Sequence, residues 1–167
     1  MPDHTSVDLT DVALRLIAAV VVGGLVGVDR EWRGKPVGVR TLALVALGSS
    51  LLAVSTVHYT AFAHDIAATS RVMQGVIQGV MAGIGFLGAG AVMSSGGERQ
   101  VHNLTTAATV WVTATLGIAC ALGTWSVVLI GVVLTLIVLV VLHPIDGWFD
   151  KRRAAHAKTG GDGPKPT

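Results

Sequence analysis

The 167-residue chain is 51% hydrophobic and only 13% charged, with a mean hydropathy of +0.67. Soluble domains carry roughly 25% charged residues, so this composition excludes an ordinary soluble domain and indicates a membrane protein. The single cysteine, Cys120, excludes an intrachain disulfide scaffold, and the formal net charge of +2 is too small to indicate nucleic-acid binding.

Five apolar runs are long enough to cross a bilayer, whose core of about 30 Å requires roughly 20 helical residues. They extend approximately over 12–28, 39–59, 72–93, 104–122 and 125–142. Only Gly123 and Thr124 separate the last two, which predicts a tight antiparallel hairpin. We therefore predict an all-α membrane protein, a bundle of five transmembrane helices, with residues 1–150 as one transmembrane domain.

The distribution of positive charge predicts the orientation of the five spans. If the spans alternate in direction, ten of the 12 lysines and arginines fall on one side, and only Arg15 and Arg71 fall on the other. The positive-inside rule then places the N-terminus outside and the C-terminus in the cytoplasm. Arg15 lies four residues after Asp11, which predicts an ion pair near the outer boundary. Residues 151–167 are basic and rich in Gly and Pro, which predicts a disordered cytoplasmic tail.

The third span is rich in glycine. Gly75, Gly79 and Gly83 recur every four residues, which predicts a groove along one helical face and a central position for this helix. Gly23 and Gly27 would offer a matching face on the first helix. The groove for packing or for a partner comprises Gly75, Gly79, Gly83, Gly85, Gly88 and Gly90.

The segment Gly83–Gly88, GIGFLG, matches the spacing of a dinucleotide-binding loop. That motif requires a preceding strand and a following acidic residue, and neither is present, so we interpret the glycines as a packing surface or a locally unwound helix. A break at membrane depth is tolerated only when it is buried in protein or lines a wet cavity. Residues 83–90 are therefore a candidate functional kink.

Polar residues lie at the start of the predicted fourth helix and recur along it. Asn103 is a plausible N-cap. Thr105, Thr109 and Thr113 recur every four residues, so they either line a polar track or bond back to their own helix carbonyls, and we favour the second interpretation.

The loop between the first two spans carries six charged residues among the thirteen of 29–41. A solvated loop is one interpretation. The other is a functional polar cluster, because Asp29 and Arg30 lie at the end of a glycine-lined span, where they could be buried and paired. The residues of this candidate cluster are Asp29, Arg30, Lys35, Arg40, Asn103 and Thr106.

Three segments together resemble the N-terminal membrane domain of the MgtC/SapB family. They are GGLVGVDREWRGKPVGVRT at 23–41, AGIGFLGAGAVM at 82–93 and NLTTAATVWVTATLG at 103–117, and the resemblance covers about residues 10–145. It implies a bacterial inner-membrane protein without enzymatic activity or cofactor, linked to adaptation to low magnesium and to survival inside host cells. It also implies restraint of the ATP synthase through its membrane subunit.

The chain departs from the family pattern at several positions. Asp29 stands where the family usually has Glu, Val37 where it has Ala, and Leu42 where it has His, while His102 and Asn103 replace Arg-Gly. Arg71 lies twelve residues before Gly83, whereas the family arginine lies eight before the same motif. The soluble C-terminal domain of the virulence-associated members has no counterpart in the printed sequence.

Two functions of different classes remain after this comparison. The first is a non-enzymatic regulatory protein that acts through intramembrane helix contacts, with a homo-oligomer or another membrane protein as partner. The alternative is an oligomeric ion or small-solute channel or transporter. A magnesium sensor at Asp29 and Glu31 is weaker, because Arg30 and Arg33 would repel the cation. A hydrolase is weaker still, because the chain has no HExxH, GxSxG or paired intramembrane aspartates.

Overall fold

In a computed structural model of the protein, the described residues are 8–61, 66–93, 104–123 and 125–141. They form five helices: α1 Leu9–Trp32, α2 Val39–Ala61, α3 Ile66–Met93, α4 Leu104–Leu122 and α5 Trp125–Val141. The predicted all-α class is confirmed. The first four helices are long and apolar enough to cross a membrane, whereas α5, with 17 residues or about 25 Å, is shorter. Asn103 and the tail at 151–167 lie outside the described residues.

The N-terminal end of α1 is capped by its own side chains and hydrogen-bonded to α4. Asp8 is the N-cap and accepts a 3.0 Å hydrogen bond from the amide of Thr10. Arg15 forms the predicted ion pair with Asp11, at 2.6 Å between Nε and Oδ2. It also donates from Nη1 to the carbonyl of Ala121 at 2.9 Å, in the last turn of α4. A cation at this helix end is favoured by the helix dipole.

The closest helix packing joins α1 to α2 through glycine. A Cβ atom at Gly23 would lie 2.9 Å from the Cβ of Ala46, and one at Gly27 would lie 2.9 Å from the amide nitrogen of Val39. Any side chain at either position would therefore separate the two helices. The sequence correctly identified these residues as a packing face, but the partner is α2 and not the glycine-rich α3.

The central helix is α4, which contacts each of the other four helices. Of its span, 56% is buried in the protein, against 11% for α3. Gly117 of α4 lies so close to α2 that an added Cβ would be 2.9 Å from the Cα of Ala46. The prediction that α3 is central is therefore wrong, because α4 directs its small residues and threonines inwards, whereas α3 leaves most of its glycines uncovered.

Of the two interpretations of the glycines at 83–90, a packing surface or a locally unwound helix, the unwinding is not observed. The helix is continuous from Ile66 to Met93, through all of the glycines at 83–90. Glycine lowers helix propensity but does not remove a backbone hydrogen bond, so a helix in lipid retains its hydrogen bonding through such a segment.

Candidate functional site

The candidate site lies where the C-terminal turn of α1 meets the loop 33–38 and the first turn of α4. Arg30, in the last turn of α1, is only 3% exposed. One nitrogen of its guanidinium, Nη2, donates to the hydroxyl of Thr106, which is 76 residues away in sequence. The same nitrogen donates to the carbonyl of Pro36 at 3.3 Å. The structure thus brings together Arg30 and Thr106, two of the residues predicted from sequence.

The carboxylates of Asp29 and Glu31, the residues on either side of Arg30 in sequence, accept hydrogen bonds from groups other than Arg30. Asp29 accepts from Nε of Arg33 at 2.8 Å, one helical turn further on. Glu31 accepts at 3.1 Å from the amide of Val39 and so caps the start of α2. The predicted pairing of Asp29 with Arg30 is not a salt bridge, and Asp29 acts on Arg30 through its charge alone. Consecutive helical residues point in different directions, whereas residues four apart share a face.

The loop between α1 and α2 is held in an unusual backbone conformation. Gly34 has φ of +61°, and its amide donates to the carbonyl of Glu31 at 3.0 Å. Val37 has φ of +67°, which is strained for a β-branched residue. This strained residue directly follows Pro36, whose carbonyl accepts from Arg30. Neither Pro36 nor Val37 was selected from the sequence, although the departure of Val37 from the family pattern was a signal.

Lys35 and Arg40 are not assembled with Arg30. Both side chains are exposed, and they line a separate open depression of about 550 Å³ together with Glu31 and Thr41. Two cations, Lys35 and Arg40, and one carboxylate, Glu31, line the depression, so its net charge is positive. Within the described ranges, no group of three or more His, Cys, Asp and Glu side chains is placed to hold a metal ion.

Three threonines of α4, Thr106, Thr109 and Thr113, face the protein interior, whereas Thr105 and Thr115 are exposed. Thr109 donates to the carbonyl of Thr105 at 2.7 Å, which confirms the predicted bond to its own helix for this residue. Thr113 differs, because its hydroxyl is buried without a hydrogen-bond partner in the described structure. The hydroxyl of Ser50 on α2 is buried in the same unpaired way.

The glycine face of α3 is a second candidate surface. At Gly75, Gly79, Gly83, Gly85 and Gly90 an added Cβ would meet no atom within 4 Å. Gly88 is the exception, since its Cβ would lie 3.3 Å from that of Ala107 on α4. Gly79 and Gly83 line an apolar groove of about 710 Å³ between α3 and α2. A smaller groove of about 420 Å³ separates α3 from α4 and includes Gly85.

No solved structure matches the chain. SrpB of Synechococcus elongatus is 38% identical over 138 residues, which cover 79% of this chain and 75% of SrpB. MgtC of Salmonella typhimurium is 37% identical over 131 residues, which cover 78% of this chain and 52% of MgtC.

A third relative, YhiD of Escherichia coli K12, is 33% identical over 132 residues, which cover 79% of this chain and 60% of YhiD. The chain thus spans about half the length of MgtC and somewhat more of YhiD. The sequence profile of the MgtC family matches residues 16–148. Because this match covers most of the five-helix structure, the chain belongs to the MgtC family.

Proposed function

We propose that this multi-pass membrane protein is a non-enzymatic regulator of the bacterial inner membrane, acting through helix contacts made by α3. The observation that carries the proposal is the set of uncovered glycines on α3, five of which have no described atom within 4 Å of an added Cβ, with Gly79 and Gly83 lining one groove. Its partner is a second copy of the chain or another membrane protein, and the membrane subunit of the ATP synthase is the specific candidate.

The other glycines of the protein support this interpretation. Helices in lipid gain little from hydrophobic burial against one another, so close approach through small residues drives their association. Gly23, Gly27 and Gly117 already serve this purpose inside the protein, where each lies against α2. Gly79 and Gly83 present the same kind of surface with no neighbouring helix in contact, so a helix from a partner can occupy it.

The physiological setting rests on the family. The name of the relative YhiD associates that protein with magnesium transport. The resemblance to the MgtC/SapB family links this chain to adaptation to low magnesium. Orientation follows from charge, with the N-terminus outside and the C-terminus in the cytoplasm.

The test compares Gly79→Leu with Gly24→Leu. Gly24 is a matched control, because it also has no atom within 4 Å of an added Cβ but lies on α1, away from the groove. After crosslinking in native membranes, Gly79→Leu is expected to reduce co-purification of a tagged second copy or a tagged ATP synthase membrane subunit at least tenfold. Insertion and yield should be unchanged in both variants. Equal recovery with Gly79→Leu and Gly24→Leu would contradict the proposal.

The alternative is an oligomeric channel, and the unpaired hydroxyls of Ser50 and Thr113 at membrane depth favour it. Against it, Thr106, Thr109 and Thr113 are all buried and so do not line an open surface. Liposomes that contain the purified protein distinguish the two functions. Magnesium, proton or anion flux above that of empty liposomes would support the channel, and its absence would support the regulator.

A further inference from the structure

The guanidinium of Arg30 is buried and forms no salt bridge with the described residues, although the negative charge of Asp29 lies close enough to act on it. Its two hydrogen bonds, to the Thr106 hydroxyl and the Pro36 carbonyl, both use Nη2 and reach neutral acceptors. Its Nε is buried and has no acceptor in the part of the chain that the structure describes. The nearest carboxylates in sequence, Asp29 and Glu31, are held by Arg33 and by the amide of Val39.

The location of Arg30 beside a helix N-terminus also favours a negative charge at this point. Arg30 contacts Thr106 in the first turn of α4, and the N-terminus of a helix carries partial positive charge. That helix end repels the guanidinium and attracts an anion. A buried charge is normally paired, because burial without a partner is strongly unfavourable. Two independent features, a buried arginine with a free nitrogen and a helix N-terminus, therefore favour an anion at one location.

We propose that Arg30 and the first turn of α4 form a binding site for a phosphate-bearing anion. Arginine and helix N-termini together suit an oxyanion, since both present several N–H donors to its oxygens. Lys35 and Arg40 are exposed in the separate depression beside the α1–α2 loop, where they raise the local concentration of a multiply charged anion. The end of a transmembrane helix is also the depth of lipid phosphates.

The loop 33–38 provides the route of entry. Its contact with Arg30 through the Pro36 carbonyl is long, at 3.3 Å, and is the acceptor that an anionic oxygen would replace most readily. Gly34 and Gly38 flank the segment that has to move. Releasing Pro36 would also free Val37 from its strained backbone angle of +67°. Anion binding is thereby coupled to a rearrangement of the loop between α1 and α2.

The test measures thermal unfolding of the purified full chain in an uncharged detergent without phosphate. The added probes are inorganic phosphate, phosphatidylglycerol, and diacylglycerol as a lipid that lacks phosphate. Phosphatidylglycerol is expected to raise the Tm of the wild-type protein by several degrees, and diacylglycerol should not. A rise with phosphatidylglycerol alone identifies a lipid headgroup, and a rise with inorganic phosphate as well identifies the phosphate group itself.

The matched variants are Arg30→Gln and Arg40→Gln, which remove the same charge from a buried and an exposed position. Arg30→Gln should lose most of the stabilisation by phosphatidylglycerol, and Arg40→Gln should keep at least half. Equal stabilisation of wild type and Arg30→Gln would overturn the proposal, as would no stabilisation of wild type.

A second measurement covers the case in which Arg30→Gln does not fold. Native mass spectrometry of the wild-type protein with an equal mixture of phosphatidylglycerol and diacylglycerol requires no variant. One strongly retained phosphatidylglycerol per chain is expected, with no retained diacylglycerol. Equal retention of the two lipids would contradict the proposal.

Discussion

Two adjacent glycines in α1 have opposite surroundings. Gly23 lies against the backbone of α2, and an added Cβ would be 2.9 Å from the Cα of Ala43. Gly24, the next residue, has no atom within 4 Å of an added Cβ. The importance of a glycine in this protein therefore depends on the direction in which it points.

This difference predicts that Gly23→Ala destabilises the protein, whereas Gly24→Ala does not. The alanine methyl group at Gly23 has to push α1 away from α2, and overpacking of this kind costs about 1–3 kcal/mol. At Gly24, alanine raises helix propensity and meets no neighbour, so the free energy of unfolding should be unchanged or slightly higher. Equilibrium unfolding of the two variants in mixed micelles measures the difference. Equal stabilities would show that the α1–α2 contact is looser than described.

The same distinction explains which residues of the candidate site could be predicted. Arg30 was selected because it lies at the end of a glycine-lined span, where it could be buried, and Thr106 was selected from the polar start of the fourth span. The contact between them could not be predicted, because it depends on how α4 docks against α1, 76 residues further along the chain. The Asp29–Arg33 pair follows a local rule of helix geometry and was available from the sequence.

Among the helices, α3 and α4 differ most from what sequence patterns indicate. Hydropathy located both helices, since a run of apolar residues is sufficient to predict a span. Composition could not show which of the two helices is more buried. Small residues indicate a packing surface, but they do not show whether its partner is in the same chain. The uncovered face of α3 and the buried threonines of α4 illustrate this limit.

The docking of α3 on α4 predicts a specific crosslink. After Cys120→Ala removes the native thiol, cysteines at Gly88 and Ala107 should form a disulfide. Their Cβ atoms would be about 3.3 Å apart, close to the usual disulfide separation. A Gly79/Ala107 cysteine pair is the control, since Gly79 lines the opposite groove towards α2 and should not crosslink. Crosslinking of both pairs at equal rates would show that α3 is not docked in this register.

At the scale of the whole molecule, positive charge and the odd number of helices determine the expected topology. Arg30, Arg33, Lys35 and Arg40 lie at the junction of α1 and α2. The junction of α2 and α3, over residues 62–65, has no lysine or arginine. This asymmetry orients the bundle regardless of how the helices pack.

Reporter fusions test this orientation. Alkaline phosphatase, which is active outside the cytoplasm, should be active when fused within residues 62–65 and inactive when fused within 34–38. A green fluorescent protein attached after residue 167 should fluoresce, because its fusion point is expected in the cytoplasm. The reverse pattern of activities would invert the orientation and place Arg30 at the outer surface.

The hydrogen bond from Arg15 to the Ala121 carbonyl has a consequence for the order of assembly during translation. The two residues are 106 positions apart, and at roughly 5–20 residues per second the ribosome needs about 5–20 s to reach the second after the first. During this interval the guanidinium of Arg15 can pair with Asp11 but not yet with the carbonyl of Ala121. The hydrogen bond between α1 and the α4–α5 hairpin therefore forms only after α4 has been synthesised, when the α1–α2 pair has had time to form.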